Sequence, residues 1–187
     1  MNHEQLLAIV IILVVEAVIG FLVMKKRRSE KLRAKFGAEY DRVLRNEKGV
    51  REAEAVLELR QKRVEKLNIH ALSAQQQAEF GSRWQEAQSE FVDDPQRSVT
   101  AGDRLVTEVM RARGYPMGDF EQQAADISVD HPVVVEEYRA AHSIALRHER
   151  GQANTEDLRK AMVHYRTLFQ DLLAEQPIHN EVQRKEA

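Results

Sequence analysis

The sequence predicts an all-α protein with an N-terminal transmembrane helix, a helical stalk with partial heptads and a compact C-terminal helical bundle. Three observations predict this class. Only eight of the 187 residues are glycine and four are proline, so helix-breaking residues are scarce. Several segments repeat apolar residues at helical spacing, and none alternates apolar and polar residues as a strand does. One apolar run near the N-terminus is long enough to span a bilayer.

The composition excludes several classes of chemistry. The chain has no cysteine, which rules out disulfides, thiol catalysis and cysteine-ligated zinc. It also lacks a phosphate-binding glycine loop and a nucleophile-elbow motif, so we predict no enzymatic activity and no cofactor. From residue 36 onward there are 21 cations and 27 anions. A body of that sign lacks the basic face of a nucleic-acid-binding protein, and we predict no nucleic-acid partner.

The first element is an anchor in residues 6–24, behind a short external N-terminus of residues 1–5. At 1.5 Å rise per residue this run makes a helix of roughly 28 Å, close to the hydrocarbon thickness of a bilayer. A cleaved signal peptide would need positive charge before the apolar run and small residues after it. Here the run follows MNHEQ and is followed by KKRR. We therefore predict a retained transmembrane helix in a single-pass protein.

The basic juxtamembrane segment, residues 25–35, predicts the orientation. It holds seven cations and one glutamate and begins with Lys25, Lys26, Arg27 and Arg28. Lysine and arginine beside a spanning helix remain on the cytoplasmic side. The sequence thus predicts a bacterial inner (cell) membrane protein with its N-terminus outside and its C-terminal domain cytoplasmic. The same cations can attract anionic lipid headgroups at about 1 kcal/mol each, or they can set topology alone.

Glu16 is the one charged residue inside the apolar run. An ionisable group near the midplane costs about 2.5–3.5 kcal/mol on insertion scales, which the apolar neighbours can offset. Gly20 lies one turn further along, so one face combines a polar group with a small residue, as in associating helices. Two interpretations follow. Glu16 is tolerated in a plain anchor, or the Glu16–Gly20 face pairs with a partner helix or a second copy.

The predicted stalk, residues 36–70, carries half of a coiled-coil pattern. One apolar seam repeats every seven residues, but its heptad partners, which include Glu39 and Arg60, are mostly polar. Gly37 and Gly49 each weaken a helix by about 1 kcal/mol. We predict two helices, or one bent helix, from Ala38 to about Leu67. The stalk packs on the bundle or pairs with another chain.

The predicted bundle, residues 73–175, begins at a capping box of Ser73 and Gln76. Apolar residues at helical spacing then predict five helices, with breaks at Asp94-Pro95, Gly114–Pro116, residues 128–132 and Gly151. The strongest stripe lies in the last helix: Leu158, Met162, Tyr165, Leu168, Phe169 and Leu172. The final residues, 176–187, have little to bury and are predicted to be disordered.

Four motifs stand in order behind the anchor: FVDDP (91–95), RGYP (113–116), SVDHP (128–132) and YRAAH (138–142). With this order and the N-terminal membrane helix, the chain resembles a group of uncharacterised bacterial single-pass membrane-anchored helical proteins. The resemblance spans most of the chain and implies the same architecture. It implies no activity and no functional residues, because none is assigned to that group.

The densest cluster of chemical groups lies at SVDHP. Asp126, Asp130 and His131 could hold a divalent cation. The favoured interpretation is helix capping: Ser128 or Asp130 satisfies the exposed N–H groups of a new helix, and Pro132 occupies its first turn. Tyr115, Asp130 and His131 are also a candidate interaction loop.

These observations predict a membrane-tethered cytosolic interaction or scaffolding module. Its expected partners are the lipid bilayer and either an unknown protein or a second copy of the chain. The alternative is a small-molecule or regulatory sensor that uses the loop region 114–131, and an enzyme is the third. A concave pocket with convergent polar groups at that loop would favour the sensor.

Overall fold

All regular structure in residues 3–174, which a computed structural model describes, is helical, with side chains described for residues 11–174. The elements are α1 (His3–Phe36), α2 (Ala38–Asn46), α3 (Val50–Val64), α4 (Ala74–Ser89), a 3-10 turn (Glu90–Val92), α5 (Pro95–Ala112), α6 (Phe120–Asp130), α7 (Val135–Glu149) and α8 (Thr155–Leu173). The all-α prediction is confirmed.

α1 is one unbroken helix that joins the apolar run to the folded body. Its last turns enter the core, where Leu32 is 6% exposed and Phe36 is fully buried. Gly37 follows with φ of 51°, a backbone conformation that glycine adopts without steric cost. The chain reverses there, and Arg33 on α1 lies 3.7 Å from Asp41 on α2. The predicted basic segment is therefore the last part of α1.

α2 and α3 are two helices, as one of the predicted alternatives has it, and they turn back on each other. The hydroxyl of Tyr40 on α2 donates to Glu54 on α3 at 3.1 Å. Val43 and Leu57 belong to the same hydrophobic core as α4–α8. Residues 36–70 thus pack on the bundle, and the predicted border between stalk and bundle does not divide the core. The apolar seam that repeats every seven residues is Phe36, Val43, Val50, Leu57, Val64 and Ala71. Val50 is 43% exposed, because it lies at the turn between two antiparallel helices rather than within one continuous helix.

The C-terminal half confirms the predicted helical stripes. The Ser73 and Gln76 capping box is formed, and Trp84 lies in the core with its ring 4.5 Å from that of Phe169. Asp94 caps α5 and Pro95 is its first residue, so this pair begins a helix as well as ending one. The stripe predicted for the last helix, α8, is buried at all six positions.

α8 is the central helix of the bundle and packs against both α5 and α7. Its N-terminus carries a second capping box, made by Asn154 and Asp157. α5 approaches closely at Gly102, where an added Cβ would lie 3.1 Å from the sulfur of Met162. The residues predicted to be a disordered tail, 176–187, lie outside the described residues.

Candidate functional site

The apolar part of α1, from Ile11 to Met24, packs on no other element of the described chain. Each of its large apolar side chains is 43–71% exposed, whereas those of the core are at most 9% exposed. Glu16 is exposed within this run, and an added Cβ at Gly20 would meet no atom within 4 Å. The run therefore presents an apolar surface around the whole helix, broken by one carboxyl group.

No helix in the part of the chain with described side chains is both long and apolar enough to cross a membrane. The predicted span begins at Leu6, and the side chains of residues 6–10 lie outside that part.

The cations at the basic end of α1 differ in their exposure to solvent. Lys25, Lys26, Arg27 and Arg28 are all exposed. Lys35, one of the last cations of the segment, turns toward the body: burial lowers the pKa of its ammonium group, and the carboxylates of Asp130 and Glu65 oppose that shift. The first four cations therefore form an exposed basic collar directly after the apolar run.

Two contacts hold the basic end of α1 against α3. Arg28 Nε lies 2.5 Å from Glu58 Oε1, and the Ser29 hydroxyl donates to Glu54. Glu54 is buried, at 3% exposed, and accepts from Tyr40 as well. This buried carboxylate was not predicted, because nothing in the neighbouring sequence marks it as buried. The helix that carries the apolar run is thus held by the body at its basic end.

The candidate interaction loop is filled by its own side chains. Tyr115 is 3% exposed, and its hydroxyl donates to Asp130 Oδ2 at 3.0 Å. Burial and the Asp130 carboxylate raise the pKa of that hydroxyl far above its usual range, so it stays a donor. His131 is 2% exposed, and its Nδ1 pairs with Asp171 on α8. Tyr115 and His131 are therefore buried parts of the fold.

The third member of the cluster, Asp126, points elsewhere. Its carboxylate accepts from Gln122 at 2.9 Å and lies 3.3 Å from Arg63 on α3. Burial raises the pKa of Asp126, and Arg63 only partly opposes this. Within the described part of the chain, no three His, Asp or Glu side chains are placed to hold a metal ion. Asp126, Asp130 and His131 thus have three separate sets of partners.

The capping interpretation of SVDHP is wrong. Ser128 and Asp130 lie in the last turn of α6, and the residue before α7 is Val134, which makes no side-chain cap. The Ser128 hydroxyl donates instead to the carbonyl of Ala125. Asp130 is used by Tyr115, so neither side chain is available to α7. Pro132 follows the end of α6 and stands three residues before α7.

A buried ion cluster at the centre of the α2, α3, α6 and α7 interface was not predicted. Glu39 is fully buried, and its Oε1 accepts from Arg60 at 2.7 Å and from Arg139 at 2.9 Å. Arg139 reaches Glu121 on α6 at 3.2 Å. Glu39 and Arg60 are three heptads apart among the mostly polar heptad partners of the apolar seam. Opposite charges on one seam were the signal that could have found them.

Two surface clefts lie away from the loop region. One of about 440 Å³ lies between α4 and α5, and its charged lining pairs with itself or neighbours, as in Arg97 to Glu90 at 3.0 Å. The other, of about 190 Å³, lies between the α4 end and α8. Neither includes Tyr115, Asp130 or His131.

Comparison with known proteins supplies no family: no protein-family model, no curated protein and no solved structure matches this chain.

Proposed function

We propose that the protein is a single-pass membrane protein, anchored by residues 6–24, whose helical body acts as an interaction or scaffolding module on the cytosolic side of a bacterial cell membrane. The observation that carries the proposal is the apolar run of α1, which is exposed on every face from Ile11 to Met24, although the rest of the described chain buries most of its large apolar side chains in one core. A surface of this kind needs an apolar environment, and a bilayer covers all faces of a helix at once.

The free energies of transfer favour insertion of this run into a bilayer. Residues 6–24 include 14 Leu, Ile, Val and Phe, which together contribute about −4 to −8 kcal/mol on an insertion scale. Glu16 costs about 2.5–3.5 kcal/mol on that scale. The apolar residues therefore outweigh the glutamate.

The basic collar supports the orientation. Four exposed cations follow the run directly, whereas the five residues before it, MNHEQ, include no lysine or arginine. Cations beside a spanning helix stay on the cytoplasmic side. The proposed arrangement therefore places the N-terminus outside and the helical body in the cytosol.

The filled loop supports an interaction module over a sensor. A sensor at residues 114–131 needs convergent polar groups that are free to bind a ligand. Tyr115 and His131 are instead buried and bonded to Asp130 and Asp171. The body also exposes single large apolar side chains, Leu59 at 66% and Val92 at 87%, which are available to a protein partner or to a second copy.

Two measurements on the full chain test the proposal. Alkaline carbonate should leave the protein in the membrane pellet, and a reporter that matures only in the cytosol should be active when fused after Ala187. The matched control replaces Lys25, Lys26, Arg27 and Arg28 by Gln, which should weaken the orientation bias and retain the pellet fraction. Release of the protein by carbonate, or activity of a periplasm-only reporter at the same position, would overturn the proposal.

A further inference from the structure

We infer that the turn between α2 and α3, residues 45–51, is a second membrane contact that binds anionic lipid headgroups beside the basic collar of α1. The inference rests on the proposed anchor and adds a part of the body that the sequence does not place near the bilayer. Two independent sets of contacts place the turn beside the collar, at the same level along the axis of α1, and 'height' below means this level.

The first set runs down α2. Arg33 on α1 lies 3.7 Å from Asp41, so these two residues are at the same height. From Asp41 the antiparallel α2 descends to its last residue, Asn46, which is five residues or about 8 Å along a helix, and Lys48 follows in the turn. The same descent along α1, from Arg33, ends at Arg28. Lys48 therefore lies at the height of the basic collar.

The second set runs down α3. Glu54 accepts from Ser29 on α1, which places the two at one height. Since α2 reverses α1 and α3 reverses α2, α3 runs parallel to α1. Val50 stands four residues before Glu54, about 6 Å lower, and four residues before Ser29 is Lys25. The Arg28–Glu58 pair places Val50 lower still, eight residues or about 12 Å below Arg28. These contacts bring the turn to the level of the collar or of the end of the apolar run.

The side chains of the turn suit an anionic surface. Arg45, Lys48 and Arg51 are exposed, and none of the three makes an ion pair within the described part of the chain. Val50 is 43% exposed between them. Two acidic residues oppose them: Glu47 is partly buried, and Glu52 folds back with its Oε2 3.1 Å from the Cβ position of Gly49.

The turn and the collar together form one basic rim around the anchor. Lys25 and Arg27 of the collar are exposed and unpaired in the described residues, whereas Arg28 is paired with Glu58. Each cation near an anionic leaflet is worth about a fivefold gain in surface binding. Three cations of the turn thus contribute up to about a hundredfold, reduced by Glu47, Glu52 and salt.

The test uses the full chain, whose lack of cysteine permits single labels. Val50→Cys carries a fluorophore in the turn, and Val133→Cys carries it on an 86%-exposed position between α6 and α7. Each protein is reconstituted in phosphatidylcholine vesicles with or without phosphatidylglycerol, and nitroxide-headgroup lipids quench the label. We expect strong quenching at position 50 in the anionic vesicles, weaker quenching without phosphatidylglycerol or in high salt, and little quenching at position 133.

The matched variants separate charge from height. Arg45→Gln with Lys48→Gln and Arg51→Gln should reduce quenching at position 50, whereas Lys62→Gln with Lys66→Gln, at and beyond the far end of α3, should not. Equal quenching at positions 50 and 133, or quenching that does not depend on phosphatidylglycerol, would overturn the inference. Carbonate extraction of the same samples distinguishes the two proposals: protein that stays in the bilayer with an unquenched turn refutes only the second contact.

Discussion

Arg139 and Glu39 form an ion pair, with Nη2 of the arginine 2.9 Å from Oε1 of the glutamate, although 100 residues separate them in the chain. Arg60 on α3 donates to the same oxygen. One buried carboxylate therefore joins α2, α3 and α7. Since α2 follows directly on α1, this cluster ties the N-terminal helix to the C-terminal bundle.

Glu39→Ala should destabilise the protein by about 3–5 kcal/mol, because it removes the buried carboxylate that two arginines share. The measurement is urea unfolding of the full chain in detergent, followed by circular dichroism. The matched control is Glu156→Gln, which breaks the exposed pair with Arg159 and should leave the transition midpoint unchanged.

The cluster also predicts coupling. Glu39→Met combined with Arg139→Met should cost less than the sum of the two single replacements, by about 0.5–3 kcal/mol, because each single change strands the other charge. Additive costs would show that the two residues do not interact as the structure has them.

Asp130→Ala should cost about 1–3 kcal/mol, because it leaves the buried Tyr115 hydroxyl without an acceptor. Asp130→Asn keeps an acceptor and should cost less. In a Tyr115→Phe background, where no hydroxyl needs a partner, Asp130→Ala should be nearly neutral. Thermal unfolding of the four proteins makes the cycle. An equal cost in both backgrounds would mean that Asp130 stabilises the protein through something other than Tyr115.

Asp126 gives the stability a pH dependence. Burial raises its pKa above the usual 3.8, so the folded state holds this proton more tightly than the unfolded state does. The stability contributed by the proton is complete below pH 3.8 and is lost as pH rises through the raised pKa. Asp126→Asn resembles the neutral form. The variant should therefore be more stable, relative to the unmodified protein, at pH 7 than at pH 4.

Asp93 is exposed, and Asp93→Asn removes a carboxylate of the same charge. This variant is the control for the Asp126 experiment. Unfolding is measured in urea at both pH values for the three proteins. A relative stability of Asp126→Asn that falls between pH 4 and pH 7 would contradict the role given to burial.

Glu16→Leu separates the two interpretations of the anchor. If the glutamate pairs helices, its loss should remove about 0.6–2 kcal/mol of association. Single cysteines at Leu13, Ala17 and Gly20 should then cross-link on one face of α1, and Glu16→Leu should abolish that preference. We expect the plain anchor, since the face has no second polar residue, and so only collision-level cross-linking. Face-specific cross-linking that depends on Glu16 would contradict this expectation.

Patterns carried by neighbouring residues were predictable from the sequence. The stripe from Leu158 to Leu172 follows the helical period, and its residues are buried because a period of 3.6 places them on one side. Gly37 and Gly49 flank α2, and the sequence predicted the break at Gly49 as one of two alternatives, since glycine weakens a helix wherever it stands. The apolar run and the collar are recognised from composition alone, and their role at a membrane stays a prediction.

Side chains with two competing uses were not predictable. Asp130 can cap a following helix or accept from a distant hydroxyl, and only the fold brings Tyr115 to it. Glu39 has the same ambiguity: on a seam without partners it is solvent-facing, and opposite Arg139 it is the centre of an interface. The height of the α2–α3 turn also depends on two chain reversals, which no local pattern of Arg45 or Lys48 encodes.

α1 also removes a freedom that tethered modules ordinarily have. A domain on a loose linker samples many orientations, whereas this helix reaches the core without a break and buries Leu32 and Phe36 there. In the proposed anchored protein the orientation of the body is therefore fixed before a partner docks on it, and binding costs less orientational entropy. Two copies that paired about a two-fold axis along the membrane normal would present the same side of each body to the other.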